Sequence, residues 1–294
     1  MRLTFNGFLR PPSGDVEIEK VTVLIGSEDA GTLNVGRLVA GLIGASKCKD
    51  PYQMFKRTLG KSIPELFRGQ GYVRLDDIEL RIGENEISFK GPDININKVH
   101  FVPAMRTIYL RTLVKLDKLP FDPTLITTFL AEVVPEPFRI FVVDLIKGYI
   151  CDVIRKTYVS REDIENIIDR LRLNDDVPST KDVDLALLNY YKQTIEENDL
   201  IVVEEPSIFK TLNETIKEVQ EAVRHFYSKG AYTLIETSRL ATVYAINQLV
   251  SNGELPAEEV RAYYVKEDKI SELEVAEGVG IVLEKVSFIA DVAE

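Results

Sequence analysis

The chain has 294 residues, 45% of them hydrophobic and 28% charged, with a formal net charge of −11. That length can bury a large core as one α/β domain or as two lobes. The charge disfavours a general affinity for nucleic acid or an anionic membrane, and the most apolar stretch, 138–154, is broken by Asp144, Lys147 and Asp152, too polar to span a bilayer.

Charge is uneven: residues 45–118 carry 14 Lys/Arg against 9 Asp/Glu, net +5, which leaves −16 elsewhere. Cys48 and Cys151 have no C-x-x-C or His-rich neighbour, so they read as free thiols of a reducing compartment, with no zinc site. The N-terminus has no apolar signal region, and a cytoplasmic protein is expected. Scarce Gln, His, Met, Trp and Cys beside plentiful Glu, Lys, Ile and Val is a thermophile bias.

Two strands, 3–9 and 16–25, are expected around a turn at Pro11-Pro12-Ser13-Gly14. The second leads into VTVLIGSEDAGTLN, residues 21–34, with Gly26 and Gly31 spaced as in G-x-x-x-x-G-K-[ST] after a buried strand. In that frame, backbone N–H groups and a helix N-terminus hold phosphates. Here the Lys position is Thr32 and the Mg²⁺-binding hydroxyl position is Leu33, and Glu28 and Asp29 would repel a triphosphate. A helix follows to about residue 45.

A basic segment, 46–70, carries a short helix near 63–67. Strands at 72–75, 77–82 and 86–90 form a meander, and 99–102 is a buried strand. Residues 105–173 are helical by periodicity and cut into pieces by Pro120, Pro123, Pro135 and Pro137. After a linker at 174–178 come helix 182–196, strand 200–203, helix 209–227, strand 231–235, helix 239–250 and strand 260–265. A closing hairpin pairs 270–275 with 281–288. Strands alternating with helices imply a parallel sheet covered on both faces.

Four further segments carry candidate chemistry. LIVVEEP, 200–206, is an apolar strand ending in two acids; Glu204 would hold a metal through water and Glu205 would activate the attacking water, or the acids merely end a strand in a solvated loop. TLIETSRL, 233–240, offers Thr237, Ser238 and Arg239 to a phosphate or, as the favoured reading, a helix cap. Ser179 before helix 182–196 is an anion site or, more simply, part of a capping box, with Ser179 or Thr180 as the cap and Asp182 or Val183 correspondingly at the third helical position. Arg106, in VPAMR, either reaches a phosphate or pairs with a surface acid.

The order of these motifs resembles the ABC-type ATPase heads of the chromosome-maintenance and recombination class, nearest to RecF-like and OLD-like ATPases. The resemblance implies an α/β, P-loop NTPase-like fold with N-terminal antiparallel strands and a helical lobe. It divides one head into 1–104, 105–178 and 179–294. It makes 26–33 the Walker A loop, Ser179 the signature serine, Glu204 and Glu205 the Walker B pair, and places Thr237 at the switch-histidine position. The family's loop Lys, Mg²⁺-binding Ser/Thr and switch His are absent. Those groups neutralise charge in phosphoryl transfer, so a pseudo-ATPase is expected, with ATP and Mg²⁺ as the cofactors if any nucleotide binds. The implied partners are a second copy of the chain or an intact ATPase. The alternatives are a divergent ATPase using Arg106 or Arg239 for the missing Lys, and a DNA-associated scaffold using the basic segment 47–61.

Overall fold

The computed structural model describes residues 1–8, 10–26, 30–48, 50–59, 67–83, 87–91, 94–104, 106, 110, 161–171, 179–206 and 211–283. Glu28, Asp29, Cys151, the linker at 174–178 and most of the expected helical stretch 105–173 lie outside them.

The first sheet is antiparallel. Strands β1 (Arg2–Phe8), β2 (Ser13–Glu17), β4 (Phe67–Leu75), β5 (Ile78–Ile82) and β6 (Ile87–Lys90) are ordered β2-β1-β4-β5-β6. Its strands alternate as half-buried strands do: Leu3 and Phe5 of β1, and Ile78, Leu80 and Ile82 of β5, point inward.

The second sheet is mainly parallel and contains β3 (Val21–Ile25), β7 (Val99–Val102), β8 (Leu200–Glu204), β9 (Tyr232–Thr237), β10 (Val260–Val265) and β11 (Ile270–Leu273). The order is β11-β10-β3-β9-β8-β7, and β11 alone runs antiparallel to its neighbour. Thus β3, from the first tenth of the chain, lies between β10 and β9 from the last third. Buried on both faces, β3 and β7 are apolar at nearly every position.

Helix α1 (Thr32–Lys47) lies between the two sheets. Buried over most of its surface, it is apolar apart from Asn34, Arg37 and its C-terminal end, and its glycines allow close packing. Helix α2 (Pro51–Leu59) packs on it, with Met54 and Phe55 buried. The opposite face of the parallel sheet is covered by α4 (Thr180–Thr194), α5 (Leu212–Ser228) and α6 (Leu240–Ser251), and α3 (Arg161–Leu171) packs on α4.

Several sequence expectations change. The expected strand 16–25 is two strands in different sheets, because the chain passes from one layer to the other between Glu17 and Val21. Ser13 and Gly14 lie in β2 rather than in a turn, paired with Asn6 and Phe5. Phe67 opens β4 rather than closing a helix. Residues 270–273 (β11) pair with β10, and of the expected hairpin the described part is β12 (Val275–Ala276) with β13 (Gly280–Ile281), 284–288 lying outside the described residues. Cys48 is disulfide-bonded instead of free; pairing depends on distance in space, which spacing along the chain does not report. Among the described residues no helix is long and apolar enough to cross a membrane.

Candidate functional site

Side-chain alternation sends Leu200, Val202 and Glu204 of β8 toward α1, with Leu234 and Glu236 of β9 beside them. Glu204 and Glu236 are directly opposed in the register, and both are fully buried. Two buried carboxylates side by side repel and lack water.

The chain answers this in two ways. Arg37, one turn into α1, forks onto Glu204: Nε bonds Oε1 and Nη2 donates to Oε2 at 3.0 Å. The backbone N–H of Ala104 adds a third donor, 3.0 Å from Oε2. Among the described residues no cation is bonded to Glu236. Its Oε1 accepts from the N–H of Gly36 at 2.7 Å, and its Oε2 has no hydrogen-bond partner among the described residues. Burial, and next the charge of Glu204, raises the Glu236 carboxyl well above the usual carboxylate range.

Glu205 turns to the other face. Its φ is +39°, in the left-handed region that non-glycine residues seldom adopt. Its N–H donates to the carbonyl of Glu236 at 2.8 Å. Its Oε1 accepts from the Ser238 N–H at 2.6 Å, and the Thr237 hydroxyl lies 3.5 Å from Oε2. Burial pushes the Glu205 carboxyl upward against the lowering effect of these bonds. The structure therefore brings Glu205 and Thr237 together. Thr237 does not cap α6: its Oγ1 accepts from Arg239 N–H at 3.0 Å, and Arg239 is the cap position, without a side-chain capping bond.

At the glycine loop, Gly26 donates to the Thr237 carbonyl at 3.0 Å, and a Cβ there would lie 2.5 Å from the Thr32 hydroxyl. Gly31 has φ +83°, and a Cβ on it would meet the Arg10 carbonyl oxygen at 2.3 Å. The same carbonyl accepts from Asn34 Nδ2 at 2.9 Å. The segment at Arg10 thus lies against the start of α1, and Ala30, Thr32 and Leu33 are buried.

Arg106 is buried at the ends of β7 and β8. Its guanidinium donates to the carbonyls of Pro103, Glu204, Glu205 and Pro206 at 2.8–3.3 Å, and its Nε is 3.5 Å from Asp184. The acid pairing of the second reading is present, with Asp184, and the four carbonyls are partners that neither reading named. Ser179 caps α4 in a reciprocal capping box with Asp182, as the simpler reading has it. Its exposed hydroxyl is 2.5 Å from Asp182 Oδ2.

A magnesium nucleotide does not fit these residues. The oxygens of Glu204 are already engaged by a guanidinium and an amide, Leu33 has no oxygen to offer a metal, and the described part of the loop is covered. Among the described residues no group of three or more His, Cys, Asp or Glu is placed to hold a metal ion.

Sequence reading missed Arg37 and Glu236. Each had a signal: a single charge inside an apolar helix run, and a single acid inside the apolar strand TLIET. Lone charges in buried elements pair or neutralise.

No protein-family model matches the sequence, and no curated protein matches it. Solved structures do. An Smc head bound to the C-winged helix domain of ScpA is 10% identical, with a TM-score of 0.49, over 93% of this chain and 97% of its own. The SMC head domain from Thermotoga maritima is 12% identical over 93% and 98%, TM-score 0.43. The recombination mediator protein RecF is 10% identical over 93% and 97%, TM-score 0.42. By its own topology this chain has an α/β, P-loop NTPase-like fold. The central parallel strand β3 leads through a glycine loop into α1, β8 ends at Glu204, and β9 carries Glu236 one residue before its end.

Proposed function

We propose that this chain is an ABC-type ATPase-like head of the RecF-like and OLD-like class that has lost nucleotide hydrolysis and acts as a structural or regulatory subunit. The observation that carries the reading is the Arg37 fork on Glu204, the acid that would otherwise hold the metal. A fixed internal cation stands where an exchangeable one would be needed, and Thr32 replaces the loop Lys. The head works as a pair, with a second copy or with an intact ATPase. Calorimetric titration of the full chain with Mg²⁺–ATP, and with Mg²⁺–ADP for comparison, tests this. No heat into the millimolar range is expected; micromolar binding overturns the loss of nucleotide chemistry.

A second reading, a divergent ATPase, is favoured by Glu205. Its positive φ is the kind of backbone strain that collects at reactive sites, and its raised carboxyl pKa suits a general base. Measurable turnover by the wild type that disappears in Glu205→Gln would establish it; no turnover in either would remove it.

A further inference from the structure

Asparagine followed by glycine occurs twice in the sequence, at Asn6-Gly7 and Asn252-Gly253. Asparagine is a thermolabile residue, and this is its weakest setting. The backbone nitrogen of the next residue can attack the side-chain amide carbon, and glycine has no Cβ to shield that nitrogen. The attack needs the nitrogen eclipsed with the asparagine Cβ, a conformation that regular helix and strand both exclude. Reaction therefore follows local opening, and the two steps differ in what has to open.

Asn6 lies in β1, paired with Ser13 of β2 on one side and Tyr72 of β4 on the other. Gly7 is held so close to β4 that a Cβ on it would lie 2.5 Å from the Gln70 carbonyl oxygen. Rotating the Asn6-Gly7 peptide requires β1 to leave both neighbours. Asn252 is exposed at the end of α6, with φ −82° and ψ −2°. The N–H groups of residues 252–255 return to carbonyls of Gln248, Leu249 and Val250 at 2.9–3.2 Å, all at this one helix end. Around Gly253 no atom lies within 4 Å of where a Cβ would be. A helix end opens at far lower free energy than a strand paired on both sides.

We propose that Asn252 is a modification site, converted spontaneously to aspartate and isoaspartate in the folded chain while Asn6 stays intact. The Gly253 nitrogen loses its proton to solvent base and bonds to Cγ of Asn252; the Cγ–Nδ2 bond breaks and ammonia leaves. Water then opens the cyclic imide, at Cγ to give aspartate or at the backbone carbonyl carbon to give isoaspartate. The sum is asparagine plus water to a carboxylate plus ammonium. The open space around Gly253 accommodates the extra backbone methylene of isoaspartate. Asn252 Nδ2 donates to Glu254 Oε1 at 3.4 Å, and Glu254 in turn pairs with Arg224 of α5. Conversion replaces that donor by a second carboxylate and loosens the tie between α5 and the end of α6. None of this depends on the reading of Glu204 and Arg37.

The full chain is incubated in mildly alkaline buffer, and peptide mapping by mass spectrometry counts conversion at both asparagines, beside a denatured sample. In the denatured chain the two steps should convert at similar rates. In the folded chain Asn252 should convert about ten-fold or more faster than Asn6, the ratio that about 1.4 kcal/mol between the opening free energies gives. Asn252→Asp should also raise the titration of the Glu254 carboxyl followed by NMR, since Arg224 and then the Asn252 amide hold it low in the wild type. Equal rates at the two sites in the folded chain, faster conversion at Asn6, or an Asn252 that stays intact while the denatured sample reacts would each overturn the proposal. An unmoved Glu254 titration would overturn the effect on the Arg224 pair.

Discussion

The backbone N–H of Gly36 and Oε1 of Glu236 are 2.7 Å apart, a hydrogen bond between the interior of α1 and a carboxyl buried on β9. Gly36 is what permits the approach: a Cβ there would sit 2.7 Å from Glu236 Oε2 and 2.7 Å from Val202 Cγ1. Alanine in a helix interior ordinarily gains about 0.5–1 kcal/mol over glycine, but overpacking a tight core costs about 1–3 kcal/mol. Here the clash wins, because both neighbours belong to the central strands. Gly36→Ala should therefore destabilise by about 1–2 kcal/mol in denaturant unfolding. Combining it with Glu236→Ala should cost less than the sum of the two, as expected for residues in contact.

Arg37→Met should be the more damaging change. It keeps the length of the side chain and removes the charge, so Glu204 is left buried and uncompensated. Breaking one partner of a buried pair costs about 3–5 kcal/mol. Adding Glu204→Gln should restore most of that loss, since the remaining groups are then neutral. A double variant as unstable as Arg37→Met alone would show that Arg37 acts by packing.

The pH dependence of stability should carry the mark of Glu236. Its folded pKa is raised above its unfolded value, so the native state holds a proton that the unfolded chain releases. Its contribution is fully present below the ordinary carboxyl range and is lost as pH rises through the raised folded value. Glu205 has the same sign. Asp182 and Glu214, lowered by their capping bonds, have the opposite sign and lose stability as pH falls. The clean quantity is thus a difference. Glu236→Gln should gain on the wild type with rising pH above about 4.5, and chemical unfolding from pH 5 to 9 reads it. A difference that is flat with pH would mean Glu236 is ionised when folded.

Cys48 gives a prediction at the level of thiol counting. The sequence holds two cysteines, and Cys48 is in a disulfide. Thiol titration of the denatured, unreduced protein should find none, and two after reduction. Reduction should lower stability by about 2–4 kcal/mol. A disulfide is compatible with a thermophile's interior as well as with an oxidising compartment.

The parallel sheet was legible where its strands are buried on both faces. The runs at β3, β7 and β8 are short, almost wholly apolar and rich in β-branched residues, and the acids after LIVV stood out against them. The break between β2 and β3 was hidden because Val16 and Val21, in two different sheets, and Ile18 between them are all fully buried. Periodicity reports burial but does not say against which layer. Helix α2 was missed because it is short and cationic, with only one face inward. The Arg37–Glu204 fork joins residues 167 positions apart, and nothing local in either segment names the other.

Arg106 has a consequence for what the ends of β7 and β8 can tolerate. Beyond Val102 and Glu204 the strands stop supplying one another with donors, and four carbonyls converge on one guanidinium. A planar fork with five N–H groups can meet that demand; an ammonium with three, on a stem free to rotate, does not have the geometry. The backbone that presents both Glu204 and Glu205 is in this sense clamped from outside the ladder, and lysine at this position is a change of structure rather than a conservative exchange.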